Sequence, residues 1–285
     1  MKRICLIGMC LLLGLGLLAC GEVPQAAVQA TLAVTALPLE TPVSVQIATA
    51  APEATQAPKA LPASAATAHM LDGVTIGIDP GHQQTADAIT EPNAPDSAIV
   101  TAKATMGTRG VVSNVCEYQV NLDVCIQLAT LLREAGATVY LTRTTSDVHL
   151  SNRERAQILN DNLVDLAIGV HCNGTDDETV QGAFMLVPSE SCTTRYAESL
   201  GAAKVIIARY CSITGITMQK HDGLMQRSDL TFFNWCTRPV VCIEMGYLTN
   251  PDEDAHLTDT TFQSKMARGI FEGILAYFSD TGTTP

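Results

Sequence analysis

Aromatic and basic residues are both scarce in this chain of 285 residues. Phe, Trp and Tyr make up 5% of the sequence, and none of them occurs before Tyr118. Lys and Arg together number 17 against 29 Asp and Glu, which gives a formal net charge of −12. Nucleic-acid binding requires a basic surface, so the composition excludes nucleic acid as a partner. The acidic residues form no long block, which is typical of a solvated surface.

The chain also lacks an N-terminal apolar run of the usual membrane-spanning length. The run from Leu6 to Leu18 is short for about 30 Å of hydrocarbon, and Lys2 and Arg3 precede it, as in an export signal. The ending Leu17-Leu18-Ala19-Cys20 resembles a bacterial lipobox, which implies that Cys20 is lipidated and becomes the mature N-terminus. An uncleaved N-terminal anchor is the alternative. In the first interpretation the mature protein is a lipoprotein on the outer face of the cell membrane.

Bulky apolar and charged residues are few over the next 50 positions or so, where Ala, Thr, Pro, Val and Gln dominate. Such a segment buries too little apolar surface to offset its chain entropy, so we expect it to be disordered. As a coil it would span on the order of 40 Å. The predicted organisation is therefore a lipoprotein-type signal peptide over residues 1–20, a disordered linker over 21–70 and a folded domain over 71–285.

No two cysteines have the C-x-x-C spacing of common metal and redox sites. Of the ten cysteines, Cys5 and Cys10 lie in the predicted signal and Cys20 is predicted to carry lipid. The remaining seven are Cys116, Cys125, Cys172, Cys192, Cys211, Cys236 and Cys242. An odd number leaves at least one free thiol in a monomer. Most of the seven lie in apolar runs, which is typical of small buried hydrophobic residues.

From Leu71 onwards, short β-branched runs alternate with longer helical segments, as in an α/β domain. The runs are apolar without strict alternation, so we expect a single domain with a mostly parallel sheet and helices on both faces. The predicted strands are Val74–Ile78, Thr138–Thr142, Leu163–Val170, Ala183–Val187 and Pro239–Ile243. The predicted helices are about Tyr118–Leu132, Ser151–Asn160 with a capping-box signature, Thr193–Ile213 and Phe262–Phe278. Residues 83–114 have no clear period, which predicts a long functional or mobile loop.

Three of the predicted strands run into residues of the kind that bind metals or transfer protons. Asp79 and His82 follow the first strand, His171 and Asn173 follow the third, and Glu244 follows the last. The carboxyl ends of strands in open α/β sheets form the ligand crevice, so we expect these side chains to converge there.

Glu117, at the start of a predicted helix, completes a candidate set with His82 and His171. Two imidazoles and one carboxylate form a common catalytic zinc set with a fourth position for water, although iron and manganese also accept these donors. Each residue also has a simpler explanation. A strand-end histidine is usually a hydrogen-bonded structural residue, and an acid at a helix start complements the helix dipole.

Six short motifs, taken together and in order, resemble those of the zinc-dependent N-acetylmuramoyl-L-alanine amidases. They cover most of residues 74–278 and are Asp79-Pro80-Gly81-His82, Glu117-Tyr118-Gln119-Val120-Asn121-Leu122, Leu141-Thr142-Arg143, Arg155-Ala156, His171-Cys172-Asn173 and Glu244-Met245-Gly246-Tyr247-Leu248-Thr249-Asn250. The resemblance implies a hydrolase that cuts the amide bond between N-acetylmuramic acid and L-alanine in peptidoglycan.

The resemblance also implies a role for the matched polar residues. His82, Glu117 and His171 match the ligands of one zinc ion per chain. Glu244 matches the catalytic glutamate, which takes a proton from the zinc-bound water and returns it to the leaving amine.

Other matched positions imply a structural role in the site rather than a catalytic one. Asp79 and Asn173 match positions that we expect to hold the ligand turns. Arg143 and Arg155 lie in matched motifs, where they either form structural ion pairs or touch substrate. The chain departs from the family in having Gly169 where serine is common, and in a longer excursion between the first two motifs.

Two cysteines adjoin the candidate site, so a thiolate ligand has to be considered. Successive side chains on a strand face opposite ways, which turns Cys172 away from His171. Cys242 lies two residues before Glu244 and is expected to share its face.

Two other functions use the same residues differently. A zinc metallopeptidase acting on the stem peptides of the wall would need the same metal chemistry. A non-catalytic wall-binding lipoprotein would need only the fold, and the presence of all four proposed site residues argues against it. In each case we expect a monomer that meets peptidoglycan and is bound to the membrane by its lipid.

Overall fold

The structure is a computed structural model that describes residues 69–281 of the chain. The predicted signal peptide, and all of the predicted linker except its last two residues, lie outside the described residues. Within residues 69–281, every helix is too short or too polar to cross a bilayer.

The described residues form a six-stranded sheet and a separate two-stranded hairpin. The strands are β1 (Thr75–Pro80), β2 (Asp87–Pro92), β3 (Val100–Ala104), β4 (Thr138–Leu141), β5 (Leu166–Asn173), β6 (Phe184–Pro188), β7 (Leu224–Arg227) and β8 (Val240–Tyr247). The large sheet has the order β4-β1-β5-β8-β6-β7, and β2 pairs with β3.

Four adjacent strands of the large sheet, β4, β1, β5 and β8, run parallel to one another. Strand β6 is antiparallel to β8, and β7 is parallel to β6. The predicted mostly parallel sheet is therefore confirmed. The strand order places β1, β5 and β8, the three strands followed by candidate site residues, side by side.

Helices cover both faces of this sheet, as the sequence predicted. They are α1 (Glu117–Glu134), α2 (Asn152–Asp161), α3 (Tyr196–Thr214), α4 (Lys220–Gly223), α5 (Thr231–Trp235), α6 (Pro251–Leu257) and α7 (Thr260–Thr281). Helices α1, α3 and α7 pack against one face in the larger apolar core. Helices α2 and α5 pack against the other face in a smaller core, which includes Leu159, Phe232 and Phe233. The predicted capping box at Ser151 is present, because its hydroxyl accepts from the Glu154 amide at 3.1 Å.

Three predicted strand boundaries are displaced towards the candidate site, the first of them because β1 continues from Ile78 to Pro80 and includes Asp79. The third predicted strand, Leu163–Val170, is observed as Leu166–Asn173, and the fifth continues from Ile243 to Tyr247. His171 and Glu244 thus lie inside paired strands, opposite each other in register, rather than just beyond them. The sequence did not reveal these longer strands, because the predicted strands end where the apolar runs end. Polar residues at the sheet edge keep their backbone hydrogen bonds while their side chains face a crevice.

The segment 83–114 is not an irregular loop throughout, since it contains the hairpin of β2 and β3. Ile89, Ile99 and Val100 of this hairpin are exposed, so its strands lack the one-sided apolar alternation that identifies a half-buried strand. The hairpin is attached to helix α5. Trp235 donates its indole N–H to the Pro92 carbonyl at 2.9 Å.

Candidate metal centre

The carboxyl ends of β1, β5 and β8 bring the predicted site residues together. His82 follows β1 by two residues, His171 lies near the end of β5, and Glu244 lies opposite His171 on β8. Glu117 approaches them from the first residue of α1. The sheet therefore assembles residues that are separated by up to 162 positions in sequence, as the strand-end argument predicted.

Three donor groups converge on one point. Glu117 Oε1 lies 3.2 Å from His82 Nε2 and 3.3 Å from His171 Nδ1. One donor atom from each of the three residues lies within 4.8 Å of the other two. Zinc bonds of about 2.0–2.1 Å at tetrahedral angles place neighbouring donor atoms roughly 3.3 Å apart. The donors and their spacing fit a zinc ion, with open access on the histidine side because these side chains are 21% and 23% exposed.

His82 is oriented by hydrogen bonds from its second ring nitrogen. Its Nδ1 lies 2.8 Å from the Thr105 hydroxyl and 3.3 Å from the Thr105 carbonyl. A proton on Nδ1 that is donated to Thr105 leaves the Nε2 lone pair directed at the other donors. The sequence analysis did not identify Thr105, because it follows a hairpin strand that carries no recognised motif.

Glu117 is almost fully buried and is held by backbone donors. The Thr108 amide donates to Oε2 at 2.8 Å, and the Cys172 amide donates to Oε1 at 3.1 Å. Burial by itself raises the pKa of Glu117, but the hydrogen bonds and charges of His171 and His82 outweigh it and lower this pKa well below its ordinary value. Glu117 is therefore an ionised carboxylate at neutral pH.

Two glycines provide the space in which the donors meet. A Cβ atom at Gly81 would overlap the His171 ring, and a Cβ atom at Gly107 would overlap the Glu117 carboxylate. Gly107 also has a φ of 76°, which favours glycine. The close packing of imidazoles and carboxylate thus depends on both positions lacking a side chain.

Glu244 faces the same point from β8, but it is not one of the three converging donors. Its side chain is half-buried, and its Oε2 atom is shielded from solvent without a hydrogen-bond partner among the described residues. Burial raises the pKa of Glu244 well above its usual value, the charge of Glu117 raises it further, and Arg227 opposes the shift. A carboxyl group with a raised pKa and an unpaired oxygen beside a metal site is typical of a proton-transfer residue.

Two buried arginines hold the turn that carries His82. Arg143 donates to the Pro80 carbonyl at 2.8 Å and to the Gly81 carbonyl at 3.0 Å. Arg155 donates to the Pro80 and His82 carbonyls, both at 3.0 Å. His82 has a φ of 62°, an unfavourable conformation for a non-glycine residue, and these hydrogen bonds stabilise it. Arg155 forms a structural ion pair with Asp79, whereas Arg143 forms hydrogen bonds to backbone carbonyls instead of an ion pair.

Asp79 supports the same turn through Arg155. Its Oδ1 atom accepts from Arg155 Nη1 at 2.8 Å and from the Thr142 hydroxyl, and both charged side chains are buried. Burial alone would raise the pKa of Asp79, but Arg155 and the Thr142 hydrogen bond lower it below its usual value. Asp79 is therefore an ionised partner of Arg155.

Two cavities meet at His82, His171 and Glu244. One, which we call the enclosed pocket because it is the less open of the two, has a volume of about 250 Å³. Its other lining residues are Asp79, Thr105, Asn152, Leu186, Arg227, Leu230, Thr231, Phe232 and Cys242. The other is a more open, polar groove of about 450 Å³ beside Glu117 and Asn173. A substrate that is extended across the three shared residues can occupy both cavities at once.

The two cysteines beside the site lie where strand alternation predicts. Cys172 is buried in the α1, α3 and α7 core, on the opposite side of the sheet from His171. Cys242 lines the enclosed pocket with Glu244, and its Sγ atom occupies the space above Gly169, where a Cβ would lie 2.5 Å from it. Burial raises the pKa of both thiols well above the usual value, and neither sulfur belongs to the donor cluster of His82, Glu117 and His171. All seven cysteines of the described residues are unpaired.

Comparison with known proteins identifies the family. The model of the N-acetylmuramoyl-L-alanine amidase family matches residues 76–276, which is more than half of the chain. This chain belongs to that amidase family. This membership confirms the resemblance that the six motifs showed. It also confirms the predicted enzyme class, which is a hydrolase of an amide bond.

One relative agrees with the family assignment, and two solved structures share the fold. A germination-specific N-acetylmuramoyl-L-alanine amidase of Bacillus subtilis is 28% identical over 232 residues, which cover 75% of this chain and 84% of that protein. The crystal structure of the amidase Ami1 from Mycobacterium smegmatis has a TM-score of 0.68 at 22% identity, with 74% and 99% of the two chains covered. An amidase structure from Clostridium difficile has a TM-score of 0.60 at 23% identity, with 74% and 100% covered. The two structures confirm the α/β fold.

Asn173, the remaining predicted supporting residue of the amidase, lies at the edge of the polar groove. Its side-chain oxygen accepts from the Gly174 amide at 2.8 Å, and its carbonyl accepts from the Leu248 amide at 3.0 Å. These contacts tie the end of β5 to the segment that follows β8. They are consistent with a role in holding the His171 turn.

The buried pair of Arg155 and Asp79 leads to a prediction about the stability of the amidase. We expect Arg155→Met to lower the free energy of unfolding by about 3–5 kcal/mol, because it leaves the Asp79 carboxylate buried without its partner. Urea unfolding followed by circular dichroism measures the change. The matched control is Arg195→Met, since Arg195 pairs with Glu198 at the surface and such pairs contribute about 0–1 kcal/mol. Equal losses in the two variants would contradict the structural role of Arg155.

Proposed function

We propose that this amidase binds one zinc ion through His82, Glu117 and His171 and uses Glu244 to move the proton during hydrolysis of the amide between N-acetylmuramic acid and L-alanine in peptidoglycan. One observation carries the proposal. The Glu117 oxygen lies 3.2 and 3.3 Å from the two imidazole nitrogens, with the unpaired Glu244 oxygen on the next strand. Two imidazoles and one carboxylate with an open position are a catalytic zinc set rather than a closed structural one.

The chemistry divides between the metal and Glu244. When bound, zinc polarises a carbonyl group and lowers the pKa of a bound water towards about 7. Glu244 takes the proton of the attacking water as a general base and then donates it to the nitrogen of the leaving L-alanine. The burial that raises the pKa of Glu244 makes it a stronger base than an exposed carboxylate and a competent acid afterwards.

The other residues prepare the site for these two steps. Thr105 orients the ring of His82 so that its Nε2 atom faces the other donors, and Arg143 and Arg155 keep the His82 turn in place. Glu117 contributes a full negative charge, which offsets half the charge of a divalent cation. Asp79 supports the turn that carries His82, and Asn173 supports the end of β5, the strand that carries His171.

Product analysis tests the proposed reaction. Purified peptidoglycan is incubated with the chain, and the soluble fragments are examined by mass spectrometry and by end-group labelling. We expect intact stem peptides with a new N-terminal L-alanine, together with one zinc per chain by elemental analysis. Shortened peptides would instead identify a stem-peptide metallopeptidase, and binding without any new end group would identify a non-catalytic wall-binding protein.

We further propose that the amidase acts outside the cytoplasm as a lipoprotein anchored through Cys20, with residues 21–70 as the linker to the wall. The support is the apolar run before Leu17-Leu18-Ala19-Cys20 and the position of the substrate outside the membrane. We expect Cys20→Ser to move the protein from the membrane fraction to the soluble extracytoplasmic fraction without loss of activity on isolated wall. Immunoblotting of the fractions measures the shift, and continued membrane attachment would favour an uncleaved anchor.

A further inference from the structure

The enclosed pocket beside the metal centre contains one cation that the proposed reaction does not use. Arg227, at the end of β7, is the single Lys or Arg among the residues that line it. The same lining includes His82, His171 and Glu244, so one continuous space joins the guanidinium to the residues proposed to cut the bond. The pocket wall between them includes Leu186, which is apolar.

The guanidinium of Arg227 is fixed in direction but retains hydrogen-bonding capacity. Its Nε and Nη2 atoms donate to the two oxygens of Asp229 at 2.7 and 2.8 Å. Its Nη1 atom has no hydrogen bond to any of the described residues, and 35% of the side chain is exposed. Arg143 and Arg155 differ, because they are buried, donate to the Pro80 carbonyl and do not line this pocket. Arg227 alone can reach a ligand in this pocket.

The charge of Arg227 is directed at the reaction site. Arg227 lines the same pocket as Glu244, and its charge opposes the rise in the pKa of that carboxyl group. Glu117 and Glu244 make the rest of the site acidic, and the chain as a whole carries a net charge of −12. The proposed zinc ion would offset the charge of Glu117, and Arg227 is the one Lys or Arg side chain in the pocket wall with which an anionic group of the substrate can pair.

The proposed substrate has a carboxylate close to its scissile bond. The residue after L-alanine in the stem peptide is a D-glutamate linked through its γ-carboxyl group, so its α-carboxyl group is free unless it is amidated. Its Cα lies about one residue beyond that of L-alanine, a separation on the order of 4 Å. The sugar side offers no second carboxylate, because the lactyl carboxyl group of N-acetylmuramic acid forms the amide itself.

This inference rests on the proposed function. We propose that Arg227 binds the free α-carboxylate of the second stem-peptide residue. This contact makes the amidase selective for stem peptides in which that carboxyl group is not amidated. The enclosed pocket is then the peptide side of the site. Its apolar wall, which includes Leu186, Leu230 and Phe232, accepts the methyl group of L-alanine. A guanidinium binds a carboxylate through a charge-assisted hydrogen bond and has no such gain with a neutral amide.

The test compares two muramoyl peptides that differ only at this carboxyl group, one free and one amidated. We expect the full chain to cleave the free acid with a kcat/KM about 10- to 100-fold higher, as a hydrogen bond to a charged group allows. In Arg227→Met this ratio should fall to near one, mainly through loss on the free acid. Arg227→Lys retains the charge but not the planar guanidinium. Its ratio of kcat/KM for the free acid to kcat/KM for the amidated peptide should lie between those of the unaltered chain and Arg227→Met. Arg209→Met, on the exposed face of α3, should retain the wild-type ratio.

The outcomes separate this proposal from the one on which it rests. Equal cleavage of both peptides by the unaltered chain, or an equal loss on both in Arg227→Met, would overturn the assignment of Arg227 while the amidase reaction stands. Failure to cleave either peptide would overturn the proposed function and, with it, this specificity. A ratio that collapses in Arg227→Met and is partly restored in Arg227→Lys would establish the carboxylate contact.

Discussion

Replacing Glu244 with glutamine should abolish almost all hydrolysis of peptidoglycan while zinc remains bound. Glutamine has nearly the same shape as glutamate but cannot accept the proton of the attacking water. General acid–base catalysis contributes about 10²- to 10⁴-fold, so kcat should fall by that factor. Glu244 is not among the converging donors, so the zinc content should stay near one per chain. Release of N-terminal L-alanine and elemental analysis of the same sample measure the two quantities.

Two other outcomes would contradict the role of Glu244 as the proton-transfer residue. Activity within a few-fold of the unaltered chain would show that another group transfers the proton. Loss of zinc together with activity would place Glu244 among the ligands instead. Glu198→Gln is a matched control, because Glu198 lies at the surface on α3, and this variant should retain full activity.

Replacing His171 with alanine should remove both the metal and the activity. The variant keeps only His82 and Glu117, and a catalytic zinc site holds its ion through three protein ligands. The zinc content after gel filtration should fall far below one per chain, and cleavage of peptidoglycan should be undetectable. His149→Ala is the matched control, since His149 is exposed and lies outside the donor cluster. A full equivalent of zinc in His171→Ala would show that the metal site lies elsewhere.

Unfolding measurements distinguish loss of metal from loss of fold in that experiment. The His171 ring packs against Gly81 and lies 3.3 Å from Glu117, so its removal leaves space at the sheet edge. The apolar core of the domain lies below this edge and is unchanged. We therefore expect the circular dichroism spectrum of His171→Ala to match that of the unaltered chain, with the loss of stability that follows from the absent metal.

The sequence was sufficient to predict the parts of this fold that have strong local signals. Apolar runs located β1, β5 and β8, and the capping box at Ser151 located the start of α2. The polar residues at the ends of those three strands were therefore expected to converge. Glu117 was different, because its position at a helix start made it only a candidate, and the family motif was needed to support its link with histidines on two distant strands.

The parts that were missed have weak or absent local signals. Nothing in the sequence of β6 shows that it runs antiparallel to β8, since direction depends on the connections and not on the strand itself. Strand β7 is only four residues long and includes Gln226 and Arg227, so no apolar run marks it. Thr105 and Arg227 belong to the site through these two unrecognised segments, β3 and β7. Their functions become visible only when the sheet and the hairpin are assembled.

The contact between Gly169 and Cys242 means that these two positions cannot vary independently. The family often has serine where this chain has Gly169, yet any side chain there would meet the Cys242 sulfur at about 2.5 Å. A serine introduced alone would be overpacked, and a smaller residue introduced alone at position 242 would leave a void under the catalytic pocket. Each change is harmful singly and tolerable only with its partner. Transplanting strand β5 from a relative into this enzyme would consequently require β8 to be exchanged with it.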